Sequence, residues 1–100
     1  MLWRQGDVLI ESVAEVPAKA MPRTGRVLYE GEATGHKHRV EEEADTELFL
    51  LGDSLYLRVK SPQATIVHDE HGPITLTAGV YRLWQQREYR GENNFSPIQD

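Results

Sequence analysis

Apolar residues in this chain recur at every second position, in short runs broken by Gly, Pro, Asp or Ser. That period places alternate side chains on one face of an extended strand and leaves no stripe for a helix. The runs at residues 7–13, 26–30, 36–40, 46–51, 54–60, 64–68, 74–77 and 80–89 each read as a strand. Within 54–60, Leu55, Leu57 and Val59 share one face, and Tyr56, Arg58 and Lys60 the other. Gly52-Asp53 suits a two-residue hairpin turn, where a positive φ is needed. Residues 17–22, bracketed by Pro17 and Pro22, read as a connection, and residues 3–7 as a strand entry, with pairing of Gln5 or Asp7 to the last strand as the alternative. No window carries sustained i, i+3, i+4, i+7 apolar spacing, and there is no internal repeat. The expected fold is all-β: a small single-domain barrel or roll of about eight short, mainly antiparallel strands over residues 1–90. Residues 91–100 lack the alternation and are expected to form an irregular tail, pinned by Phe95 or Ile98.

A chain of 100 residues holds one domain, and this one has no cysteine. Disulfide staples and thiolate zinc sites are excluded, so a modest core must suffice, supplemented by a metal or a partner chain such as a second copy in a homodimer. The longest apolar runs, such as 48–51, fall far short of the ~20 residues of a membrane helix. The opening Met1-Leu2-Trp3-Arg4 has no signal-peptide pattern, and a cytoplasmic location is expected. The formal charge of −5 argues against a broad nucleic-acid surface. It leaves room for a local anion site, because Lys37 and Arg39 stand directly before the acidic stretch 41–47.

All four histidines fall in two tight groups, His36-x-His38 and His68-x-x-His71. On a strand, His36 and His38 share a face with Val40, while Lys37 and Arg39 point away. Two imidazoles aimed at one point suit a metal site or an acid/base pair. The glycine-flanked loop 31–35, which includes Thr34, lets backbone approach a ligand closely. His68 ends the run 64–68 on the face of Ala64 and Ile66 and is expected to point inward. His71 lies in the following turn and is expected to be solvated. Asp69 and Glu70 either orient an imidazole or solvate the turn.

The stretch His36-Lys37-His38-Arg39-Val40-Glu41-Glu42-Glu43 resembles the first cupin motif, in which H-x-H is followed a few residues later by a glutamate; Glu42 and Glu43 both fit that place. Leu76-Thr77-Ala78-Gly79-Val80-Tyr81-Arg82 resembles the second motif in its glycine, but Thr77 replaces the proline and Arg82 the histidine. The resemblance implies a small β-barrel with a divalent metal held by His36, His38, Glu42 or Glu43, and His68 or His71. Imidazole and carboxylate ligands suit Zn, Ni, Fe or Mn without selecting among them. An acidic solvated loop is the simpler reading of residues 41–47.

The same residues support a chemistry without metal. Paired histidines act as general base and general acid on an RNA or cyclic-nucleotide phosphodiester, with Lys37, Arg39, Arg82 or Arg87 stabilising the transition state. In that reading His36, His38 and Arg82 are catalytic. Trp84 beside Arg82 reads first as a core aromatic under a snorkelling arginine and second as a stacking platform for a short anionic ligand. A non-catalytic binding or assembly module is the third reading. No G-x-S-x-G elbow, P-loop, dinucleotide fingerprint or H-E-x-x-H helix is present.

Overall fold

The structure, a computed structural model, describes residues 1–31, 35–90 and 94–97, with side chains up to Gln86. Ten strands follow in order: β1 (Leu2–Gln5), β2 (Val8–Val13), β3 (Met21–Arg23), β4 (Val27–Glu30), β5 (Lys37–Val40), β6 (Thr46–Leu51), β7 (Ser54–Val67), β8 (Ile74–Gln85), β9 (Arg87–Arg90) and β10 (Asn94–Pro97). The first eight form one antiparallel sheet in the order β1-β2-β8-β7-β5-β4, with β6 beside β7 and β3 beside β6. The all-β expectation holds. No helix among the described residues is long and apolar enough to cross a membrane.

Strand β7 is the spine. Its first half pairs with β6 in the register Thr46↔Val59 to Leu51↔Ser54, across the anticipated Gly52-Asp53 turn, where Gly52 has φ 59°. Its far end pairs with β5 through Val67↔Arg39 and Ile66↔Val40. Along the other edge it meets β8, with a register shift between Val59 and Gln63. Two runs read as separate strands, 54–60 and 64–68, are thus one strand with a crease. Pro62, which has no N–H to give, falls in the stretch where the ladder to β8 is interrupted. Gly79 faces Val59 with φ 152°, and 74–77 likewise continues into the next run as β8.

The sheet curls without closing into the expected barrel. Among the described residues no ladder joins the outer strands β1, β3 and β4, which are three or four residues long, and β4 carries an irregularity between Val27 and Tyr29. Side chains bridge the gap instead: Tyr29 on β4 donates its hydroxyl proton to Leu83 O on β8 at 3.2 Å. Inward positions from opposite parts of the sheet make the core, including Ile10, Leu28, Val40, Leu57, Ile66, Leu76 and Leu83, all buried. Alternation is visible in β5, where Lys37 and Arg39 are exposed and His38 and Val40 buried.

Four local expectations are corrected. Leu2–Gln5 is a full strand rather than an entry, and Met21–Arg23 in the expected connection pairs with β6. The last expected strand is interrupted at Gln86 rather than running on to residue 89. Within the segment expected to be irregular, Asn94–Pro97 pairs with β9. Alternation reports burial of one face, and a hairpin can pair its backbone without that pattern.

Candidate functional site

The histidine centre begins with a turn. Gly6, at φ 57°, and Asp7 connect β1 to β2 in the register Gln5↔Val8, a two-residue hairpin. The turn delivers Gln5 and Asp7, both polar and both essentially fully buried, against His38, which is 0% exposed. Burying polar groups is tolerable only when they are hydrogen-bonded, and here they are. Gln5 Nε2 donates both of its hydrogens, to Ile66 O at 3.0 Å and Gly72 O at 2.9 Å. Its Oε1 is therefore the acceptor that meets His38 Nδ1 at 2.9 Å, so Nδ1 carries a proton. On the other side His38 Nε2 lies 3.1 Å from Asp7 Oδ1. A proton lies between that nitrogen and the carboxylate, as an imidazolium–carboxylate pair or as neutral imidazole and carboxylic acid. Asp7 Oδ2 accepts from Gln85 Nε2 at 2.8 Å, and Asp7 O accepts from Gln86 N at 2.7 Å.

The remaining histidines gather around His38. His68, just past the end of β7, lies with its ring centroid 4.2 Å from that of His38 and 5.7 Å from that of His36. His71 stands 4.7 Å from His68. Both members of the second group thus join the first pair, and the solvated setting expected for His71 is not observed: its Nε2 is buried and meets no hydrogen-bond partner among the described residues. The turn after β7 explains the convergence. Glu70 N donates to His68 Nδ1 at 3.0 Å, which fixes the ring and leaves that nitrogen unprotonated. Glu70 Oε1 approaches His36 Nδ1 at 3.1 Å, an ion-pair distance outside hydrogen-bonding geometry. Gly31 N donates to His36 O at 2.8 Å, closing the loop that carries His36 into place.

Other expected site residues go elsewhere. Glu42 and Glu43 are exposed in the turn after β5, and neither forms a hydrogen bond or ion pair with a histidine. The turn is held from below by Arg26, which donates to Glu41 O and Ala44 O. Lys37 and Arg39 are exposed on the face of β5 opposite His38. Thr34 lies outside the described residues, as does the side chain of Arg87. Among the described residues no three His, Asp or Glu side chains stand as a ready ligand set for a metal ion. His38 in particular has both ring nitrogens engaged.

Arg82 and Trp84 belong to a second place, a cleft of about 540 Å³. The Arg82 guanidinium lies over the Trp84 ring, 4.5 Å from its centroid. Its Nε donates to Ser54 Oγ at 2.9 Å, and Nη1 is 3.7 Å from Glu11 Oε1. Gln85 lines this cleft and also holds Asp7, so one side chain separates the two places.

Gln5 and Asp7 are the functional-site residues that sequence reasoning undervalued. Either was considered as a partner for the last strand, and Asp7 does bond to Gln85 and Gln86. Their contact with His38 was not foreseen. Gly6-Asp7 has the same turn chemistry as Gly52-Asp53 and could have located the hairpin.

Together these features define a small, open antiparallel β-sheet domain with a buried polar centre built on histidine. The description of a family, a domain of unknown function (DUF8820), matches residues 4–86, and the chain belongs to that family. The matched stretch includes every residue of the histidine centre and ends before β9. No curated protein and no solved structure gives a match.

Proposed function

We propose that the histidine centre binds a divalent transition metal through His36, His68 and His71, with the Gln5–His38–Asp7 unit as its rigid floor. The observation that carries this reading is the convergence of all four histidines from two separate chain segments, with the Nε2 of His71 buried and without a hydrogen-bond partner among the described residues. An imidazole nitrogen buried without a partner costs about 1–3 kcal/mol, a penalty that ligation removes. The reading keeps His36 of the cupin-like motif and releases His38, Glu42 and Glu43 from the ligand set. Ligation requires the His36, His68 and His71 rings to turn, which is compatible with their intermediate exposure. The metal, when bound, supplies Lewis acidity or a sensed occupancy for a small-molecule ligand. Glu70 stands beside His36, with its Oε1 3.1 Å from Nδ1, as a carboxylate next to a ligand imidazole.

The test is metal analysis of protein purified without a histidine tag, with melting curves in added Zn, Ni, Mn and Fe. One equivalent of metal, lost in His71→Ala and His36→Ala, is expected. No stoichiometric metal and no shift in melting temperature with any of the four ions ends the reading.

One observation favours a second reading. The Glu70 carboxylate beside His36 resembles the carboxylate–imidazole pairing of a metal-free general base. That reading expects turnover of an RNA or cyclic-nucleotide phosphodiester in EDTA, abolished in His36→Ala. Absence of such turnover removes it. His38, being fully buried, acts in neither reading as the group that meets the substrate.

A further inference from the structure

The cleft beside the histidine centre has no part in the metal reading, yet its walls are specific. Arg23 from β3, Arg82 from β8 and Tyr29 from β4 line it together. One of these cations comes from the short outer strand β3 and the other from the interior strand β8. Asp53 is the one carboxylate among the lining residues, which leaves the wall with a surplus of one positive charge in a chain whose net charge is −5. Leu50, Leu55, Tyr29 and Trp84 supply apolar and aromatic surface next to these cations. Ser54 and Gln85 add side-chain hydrogen-bonding groups. A volume of about 540 Å³ is in the range of small-molecule sites, which are mostly apolar with a few convergent polar groups.

The geometry points to a binding site for a small organic oxyanion, a carboxylate or phosphate carried on a ring, with Arg23 and Arg82 gripping the anionic group and Trp84 and Leu50 flanking the ring. Guanidinium groups suit this task because their planar fork matches both oxyanions and their faces accept a stacked ring. Arg82 is already oriented: its stack on Trp84 and its bond to Ser54 hold the guanidinium at the wall. Arg23 lines the cleft and is tied to Val27 O through Nη2. Glu11, which is not among the lining residues, pairs with Arg82 Nη1 at 3.7 Å with both side chains more than a third exposed, a weak competitor for an anion.

Binding is read by fluorescence on a Trp3→Phe protein, in which Trp84 is the one tryptophan left. The probes are phenyl phosphate, benzoate, inorganic phosphate and neutral benzyl alcohol. Saturable quenching by phenyl phosphate or benzoate is expected at about 1 mM or tighter, and the tighter of the two assigns the oxyanion. Arg23→Gln and Arg82→Gln should each weaken it by about tenfold, the scale of one charge-assisted hydrogen bond. If Arg82→Gln fails to fold, Arg23→Gln and the loss of affinity with added salt carry the test. The inference is overturned if neither ring-bearing anion saturates, if benzyl alcohol or inorganic phosphate binds as tightly as both, or if the folded variants bind like the parent protein.

Discussion

The histidine centre and the arginine-lined cleft stand on either side of Gln85 and are held by opposite means. In the centre, His38, Gln5 and Asp7 are shut away from water, and their polar atoms are committed to one another, to Gln85 and to the carbonyls of Ile66 and Gly72. In the cleft, Arg82 remains more than a third exposed and is anchored by few contacts. A buried network in low dielectric is costly to leave half-made, whereas an exposed pair is screened and adaptable. The centre thus acts as a fixed support, and the cleft keeps its groups available.

The comparison breaks most readily at Asp7. Asp7→Ala leaves His38 Nε2 and Gln85 without their buried acceptor, and we expect a loss of about 3–5 kcal/mol in urea denaturation. A loss below ~1 kcal/mol would show the centre to be no more tightly held than the cleft. Gln5→Ala strands His38 Nδ1 and two carbonyls, and about 2 kcal/mol is expected in the same measurement. Tyr29→Phe, in the cleft wall, should cost only ~1 kcal/mol at neutral pH, the worth of its bond to Leu83 O.

Tyr29 also gives a pH signature. Burial, opposed by Arg23 and Arg82, pushes its hydroxyl up to about 12 from the ordinary 10. The folded protein keeps this proton where the unfolded chain has lost it, so the contribution is full below pH 10 and falls away between about 10 and 12. Stability measured across that window should drop in the parent protein and drop less in Tyr29→Phe; equal slopes would refute the assignment. At the smallest end, the hydrogen bond from Arg58 holds the Glu47 carboxyl below its usual range, but the pair is exposed. Glu47→Gln should leave the melting temperature unchanged, and a clear drop would show that surface pairs matter here as much as the centre.

Much of the scaffold was legible because its strands alternate. Leu55, Leu57 and Val59 face the core as expected, Gly52-Asp53 makes its hairpin, and Lys37 and Arg39 turn away from His38. The punctuation misled where tertiary pairing overrode it. Pro62 and Gly79 mark a crease in continuous strands rather than their ends, because β7 and β8 resume pairing from Gln63↔Thr77. The convergence of the two histidine groups was anticipated in part, since local periodicity fixes a face but not which strand end meets which. The contact of Gln5 and Asp7 with His38 was not foreseen because a buried polar residue violates the pattern by which inward positions are found. Only a completed partner such as His38 makes their burial affordable.

The separations along the chain give the histidine centre a place in time. β6, β7 and β8 are linked by short turns and can pair as they meet, but Gln5 must find Ile66 across 61 residues and Gln85 must find Asp7 across 78. Contacts that close long loops are slow to be rewarded, so the N-terminal hairpin docks on β8 after the meander has formed. Asp7→Ala should accordingly speed unfolding while leaving the refolding rate nearly untouched; a slowed refolding limb would place the hairpin in the nucleus instead. On this order, the four imidazoles acquire their floor in the last step of folding and lose it in the first step of unfolding.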